Sequence, residues 1–195
     1  MNHNILGSLG YQSWVSLSTH EMLRNLTDGL KQNPEEDSHA AVAVMLRPVE
    51  NDLEIFLVKR AEVPGDPWSG DMAFPGGKKV VHDRTLLETV TREVWEETKI
   101  RLIGREVLGY LRPINSWVKE EMKVQPVIYR FDEKPDYILN YELTKAVWVP
   151  LKELEKTRQD ATVKGWETQI FRYNDDVVWG LTYRMIERIL EILKS

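Results

Sequence analysis

Cysteine is absent from the 195-residue chain, which removes disulfides, thiolate metal sites and cysteine nucleophiles together and agrees with a reducing compartment. Any metal has to be held by oxygen or imidazole. Long hydrophobic runs are missing too: no stretch approaches the roughly 20 apolar residues that span a bilayer. The opening MNHNILGSLGYQ has neither the basic start nor the apolar stretch of a signal peptide. A soluble, cytoplasmic protein that uses no membrane is the expectation. Basic charge is not in surplus either, because 26 Lys and Arg face 31 Asp and Glu for a formal net charge of -5. With the signs interspersed there is no basic stripe to follow a nucleic acid, whereas a small anionic substrate needs only a local basic pocket. The four histidines show no H-x-x-x-H spacing, which argues against a zinc hydrolase. No G-x-S-x-G nucleophile turn occurs.

A chain of this length buries about 70% of its unfolded surface around a single core. Ser18-Thr19-His20-Glu21 fits a capping box, and Met22, Leu23, Leu26 and Leu30 follow at helical spacing. This short helix belongs to an N-terminal extension over residues 1–36, and its apolar residues suit either capping the domain or contributing to a homodimer. KQNPEEDSH is a polar break, and the main domain is placed at residues 37–195. Ala40 to Leu46 and Leu53 to Val58 read as neighbouring strands joined by RPVEND. The Gly- and Pro-rich segment from Pro64 to Gly77 reads as a long loop, ordered by Trp68, Met72 and Phe74. Arg84 to Thr98 is helical, with Leu86, Leu87, Val90 and Val94 as its apolar stripe. Further strands are expected at Val107 to Leu111, Val124 to Phe131, Ala146 to Val149 and around Thr168 to Tyr173, with a closing helix from Trp179 to Leu193. Strands interleaved with helices predict an α/β fold with a mixed sheet.

The helix from Arg84 collects Glu93, Glu96 and Glu97 near its carbonyl end. Like charges three and four apart repel by a few tenths of a kcal/mol, and a carboxylate at that end of the helix dipole costs roughly 0.3 to 1 kcal/mol more. Glu93 and Glu97 fall on the shoulder of the apolar stripe, with Glu96 further round, whereas a solubilising charge run belongs opposite the stripe. Either a cation belongs there, or Lys99 and Arg101 neutralise a solvated helix end while Arg92 helps Glu96.

The stretch from Phe74 to Ile100 resembles the Nudix box, G-x5-E-x7-R-E-U-x-E-E-x-G-U with U aliphatic. Gly77, Arg92, Glu93, Val94, Glu96, Glu97 and Ile100 match it. Asp83 stands where the first glutamate is expected, one extra residue precedes Arg92, and Lys99 replaces the last glycine. The extra residue and the Asp are similar to the coenzyme A pyrophosphatase-like branch, as are Phe74-Pro75-Gly76-Gly77 and Thr89, although Val80 replaces that pattern's first aspartate. Lys59-Arg60, DPWSGDMAFPGG, Asn140-Tyr141-Glu142-Leu143 with VWVPL, and VVWGLTYRM extend the likeness over most of residues 40 to 190.

The resemblance implies a Nudix-type α/β/α sandwich and a Mg²⁺- or Mn²⁺-dependent diphosphatase. Its substrate would be a small nucleoside diphosphate derivative, with coenzyme A favoured over ADP-ribose, NADH, dinucleoside polyphosphates and damaged nucleotides. It implies Glu93 and Glu97 as main metal ligands, with Glu96 sharing that work and the Gly77 carbonyl nearby. Catalytic work falls to Glu93 and Glu96. Arg92 would hold loop and helix in register through Glu88, Asp83 or both. Arg60 and Lys78 are the substrate-binding candidates, with Lys79 as an alternative. The general base stays open among Glu93, Glu96, Glu120, Glu121 and Glu142. Trp68 and Trp117 either stack on a base or pin a loop, while Trp179 and Gly180 read as packing. GDMAFPGGKK is no phosphate loop, because its spacing is wrong and Lys79 stands where a hydroxyl residue is needed. The rival reading is a nucleotide-sensing protein on the same scaffold with little turnover.

Overall fold

The structure of the chain, a computed structural model, describes residues 16–116 and 121–195. Trp117 and Glu120 lie outside the described residues, as do residues 1–15.

Alternation builds the sheet. In β1 (Ala40–Val49), Ala40, Val44 and Leu46 face one core, while Ala41, Ala43 and Met45 face the other. A strand apolar on both faces has to be covered on both. β2 (Asp52–Arg60) repeats the pattern, with Leu53, Ile55 and Leu57 on the first side and Phe56 and Val58 on the second. Around them run β3 (Met72–Ala73), β4 (Gly76–Lys78), β5 (Glu106–Tyr110), β6 (Ile114–Asn115), β7 (Lys123–Arg130) and β8 (Leu143–Pro150). The spatial order is β3-β2-β1-β7-β5, with β4 on β1, β6 on β7 and β8 on β2. β1 and β7 are parallel and the other pairs antiparallel, so the sheet is mixed.

Helix α1 (Thr19–Gly29) and the last helix cover one face, while α2 (Leu86–Thr98) covers the other, which makes the expected α/β/α sandwich. The Ser18 box is formed: the hydroxyl accepts from the Glu21 amide and the Glu21 carboxylate accepts from the Ser18 amide. Met22, Leu26 and Leu30 are buried in the same cluster as β1 and β2. The chain's own core therefore covers them. After α3 (Leu151–Lys156), β9 (Gln159–Val163), β10 (Trp166–Tyr173) and β11 (Asp176–Val178) form a second, three-stranded sheet, and α4 (Gly180–Lys194) closes the described chain. Among the described residues no helix is long and apolar enough to cross a membrane.

Several boundaries differ from the sequence reading. The strands expected on either side of RPVEND run through most of it and turn at Glu50-Asn51, with Asn51 in the left-handed region at φ 57°. The long loop contains β3 and β4, which are held by neighbouring strands and not by local propensity. α2 starts at Leu86 because Thr85 caps it by accepting the Glu88 amide, which leaves Arg84 outside the helix.

If α1 shares the core, Leu26→Ala should cost about 2–5 kcal/mol. Urea unfolding followed by circular dichroism measures this, and a cost under about 1 kcal/mol would mean that the helix only rests on the surface.

Candidate active site

The site is assembled where α2 crosses β4. Its stripe of Leu86, Val90 and Val94 is fully buried, which turns Glu97 inward at 5% exposure. The Glu93 side chain is 19% exposed and the Glu96 side chain 54%, the gradient expected from their angles around the helix. Glu97 Oε2 accepts the Gly76 N–H at 2.9 Å. Burial pushes this carboxyl up to about 7; the Gly76 bond opposes that rise, the Glu93 and Glu142 charges add to it, and Arg60 works against it. Burial likewise raises Glu93, against Arg92 and with Glu96 and Glu142.

Glycine is required at Gly76, and at Gly77 it leaves room for the Glu93 carboxylate. Gly76 lies at φ +144°, and a Cβ there would stand 2.3 Å from the Ala41 carbonyl oxygen. At Gly77 a Cβ would stand 2.5 Å from the Glu93 carboxyl carbon. The Glu93 carboxylate thus rests on bare backbone.

Arg92 is the hub. Its Nε and Nη2 donate to the two oxygens of Asp83 at 3.1 and 2.9 Å, Nη1 donates to Glu93 at 2.8 Å and Glu96 at 3.3 Å, and Nη2 also reaches the Lys78 carbonyl at 3.2 Å. Of the two partners expected for it, Asp83 is found and Glu88 is not. Glu88 is held by Arg84, next to the helix start. The Asp83 substitution in the box therefore keeps a bidentate clamp from the 80–83 turn to the helix.

Local neutralisation of the acids is partial: Arg92 pairs with Glu96 as well as Glu93, whereas Lys99 and Arg101 are turned elsewhere. Lys99 and Arg101 lie over the Trp95 ring, 5.2 and 5.0 Å from its centroid. Lys99 caps α2 in the left-handed conformation at φ 60°, the task usually given to glycine. The donors near Gly77 are all oxygens, a set that suits Mg²⁺ or Mn²⁺. Glu93 and Glu96 are engaged by Arg92 and Glu97 by the Gly76 amide, and among the described residues no three acidic or imidazole side chains converge on one point.

The remaining predicted residues fall around this centre. Arg60 Nη2 donates to Asp66 at 2.8 Å, while its Nε is buried with no hydrogen-bond partner. Lys78 is exposed, and Lys79 pairs with Glu36 at 3.4 Å. Glu142 acts on both Glu93 and Glu97, whereas Glu121 is exposed in the turn before β7. A cavity of about 390 Å³ opens beside Gly76 and Gly77, with Met72, Phe74, Met185, Arg60 and Arg184 among its walls. Trp179 pins its loop, donating from Nε1 to Asp71 at 2.9 Å. Lys164 pairs with the same carboxylate at 2.8 Å and donates to the Pro67 and Ser69 carbonyls. Asp71 and Arg184 lie in the DPWSGDMAFPGG and VVWGLTYRM segments, yet the sequence marks neither as a site residue, and no local pattern in it points to Lys164.

Fold and centre together define an α/β domain with an oxygen-rich, acidic helix laid on a glycine strand. Residues 37–169 match the NUDIX domain family, and the chain belongs to that family, the Nudix hydrolases. The protein called uncharacterized Nudix hydrolase NudL from Photorhabdus laumondii is 26% identical over 162 residues, covering 80% of this chain and 86% of its own. Its namesake from Yersinia enterocolitica is 29% identical over 130 residues, covering 63% of this chain and 66% of its own, so the match spans just under two thirds of that relative. The NUDIX domain of Shewanella oneidensis NrtR, solved with ADP ribose, gives a TM-score of 0.52 at 20% identity, covering 79% of this chain and 86% of that one. That likeness is one of fold.

Hydrogen bonds from Arg92 hold the Asp83 carboxyl well below the usual carboxylate range, against burial, with help from the Val80 amide and the Thr89 hydroxyl. A depressed pKa stabilises the fold fully above the unfolded value of about 4, and the contribution fades as pH falls below that value. Asp83→Asn should therefore lower stability at pH 7 and flatten the acid limb below about pH 4. Urea unfolding at a series of pH values checks this, and an acid limb as steep as in the parent would contradict it.

Proposed function

We propose that the chain is a divalent-metal-dependent diphosphatase that hydrolyses a nucleoside diphosphate derivative, coenzyme A or a related compound, into two phosphate monoesters. The observation that carries this reading is the buried Glu97 carboxylate beside Glu93, which Arg92 does not reach and from which Lys99 and Arg101 are turned away onto Trp95. Glu93, Glu96 and Glu97, with the Gly77 carbonyl, would hold Mg²⁺ or Mn²⁺. When bound, the ion supplies charge neutralisation of the diphosphate and a water of lowered pKa.

The chain's own residues do the rest. Arg92 fixes Glu93 by tying it to the Asp83 turn. The Gly76-Gly77 backbone lets phosphate oxygens approach closely. Arg60 carries an unspent buried Nε donor at the cavity wall and, with exposed Lys78, meets the phosphates. Glu93, Glu96 and Glu142 are the carboxylates placed to take a proton from the attacking water. Coenzyme A is favoured by the Asp83 spacing and the flanking segments. ADP-ribose, NADH and dinucleoside polyphosphates share the diphosphate that this centre reads. A nucleotide-sensing protein is the second reading, favoured by the protein contacts that already hold Glu93 and Glu97.

Chromatography of products from coenzyme A, ADP-ribose, NADH and dinucleoside polyphosphates, with Mg²⁺ or Mn²⁺, tests this. Release of 3',5'-ADP and phosphopantetheine is expected from coenzyme A, with loss of activity in EDTA. Glu93→Gln and Glu97→Gln should each slow turnover by on the order of 10²-fold or more. Turnover of another diphosphate alone would discard coenzyme A, and binding without turnover would favour the sensor. Unchanged rates in both variants would contradict the metal centre.

A further inference from the structure

The loop between β7 and β8 carries aromatic and aliphatic side chains that folding does not use. Ile138 is 70% exposed and Tyr141 87% exposed. Tyr137 differs, because its ring packs edge-on against Phe56 and its hydroxyl approaches the Ala146 carbonyl. Tyr141 makes no side-chain hydrogen bond or ring contact among the described residues.

The backbone beneath Tyr141 is held firmly. The Ile138 amide donates to the Thr98 carbonyl at 2.8 Å and the Asn140 amide to the Glu97 carbonyl at 2.9 Å, so the loop satisfies open carbonyls at the end of α2. On the other side, the Glu142 amide donates to Asn140 Oδ1 at 2.9 Å and its carbonyl accepts from Ala61 at 2.7 Å. The residue before Tyr141 is thus bonded to the backbone of Glu97, and the residue after it is the carboxylate that acts on Glu93 and Glu97. The phenol faces solvent, and the backbone on either side of it is tied to the end of α2 and to Ala61. A ring in that position offers a face on which a planar base can stack, with no need for edge-specific hydrogen bonds.

We propose that Tyr141 is the stacking platform for the nucleobase of the substrate, with Ile138 extending its apolar rim, and so determines specificity for base-bearing diphosphates. The inference rests on the diphosphatase reading for its ligand, and its test is a binding measurement that does not need turnover.

Calorimetry with ADP and with inorganic diphosphate, both in Mg²⁺, separates base from phosphate recognition. Tyr141→Ala should weaken ADP by tenfold or more while inorganic diphosphate stays within twofold, and Tyr141→Phe should retain ADP within twofold. Equal weakening of both ligands, unchanged ADP affinity in Tyr141→Ala, or no ADP binding by the parent would overturn the proposal. So would a change of oligomeric state in Tyr141→Ala on gel filtration, which would make the ring a contact between copies. Failure of hydrolysis with this binding pattern intact would strike only the catalytic reading.

Discussion

A carboxylate buried against a strand edge is the constraint on which the site depends. Glu97 sits on the inner shoulder of α2 and accepts a hydrogen bond from the backbone of Gly76 across from it. Burying an ionised group costs far more than a single neutral donor returns. The neighbouring charges make matters worse, because Glu93 and Glu142 are also negative. Arg92 does not relieve Glu97, since its donors go to Asp83, Glu93, Glu96 and Lys78. A local cost of this kind, kept where packing alone would remove it, is the pattern expected at a functional site.

That constraint also explains the surroundings. At Gly76 the β1 backbone leaves no room for a side chain, while at Gly77 a Cβ would push the Glu93 carboxylate from its present place. The clamp from Arg92 to Asp83 keeps the turn before α2 in place, so the helix cannot shift along β4 without breaking a bidentate pair. On the far side of the glycines, the loop ending at Asp71 is tied to Trp179 and Lys164, residues from the second sheet and the start of α4. The cavity is lined by that loop together with residues of β1, β7 and the start of α4, all remote from one another in sequence.

The sequence showed α2, its apolar stripe and its three glutamates clearly, because periodicity and spacing are local. It also showed the alternation of β1 and β2. What it hid was long-range. Arg92 has an attractive local partner in Glu88, yet the chain folds Asp83 under it, and Glu88 is left to Arg84. Lys99 and Arg101 look like counter-charges for the glutamates but find the face of Trp95. β3 and β4 have two and three residues, too few for any period to appear among prolines and glycines. The hydroxyl of Thr182 donates to the Met72 carbonyl, a contact between residues so distant in sequence that no window includes both.

The proposed metal centre needs a divalent cation to complete the acid cluster on α2. Thermal unfolding with increasing Mg²⁺ or Mn²⁺, at constant ionic strength, tests it most directly, because a ligand of the folded state alone raises stability by RT ln(1 + [L]/Kd). With a bound cation the melting temperature should climb with metal concentration in the parent and stay nearly flat in Glu97→Gln. A flat response in the parent, or the same climb in both proteins, would contradict it.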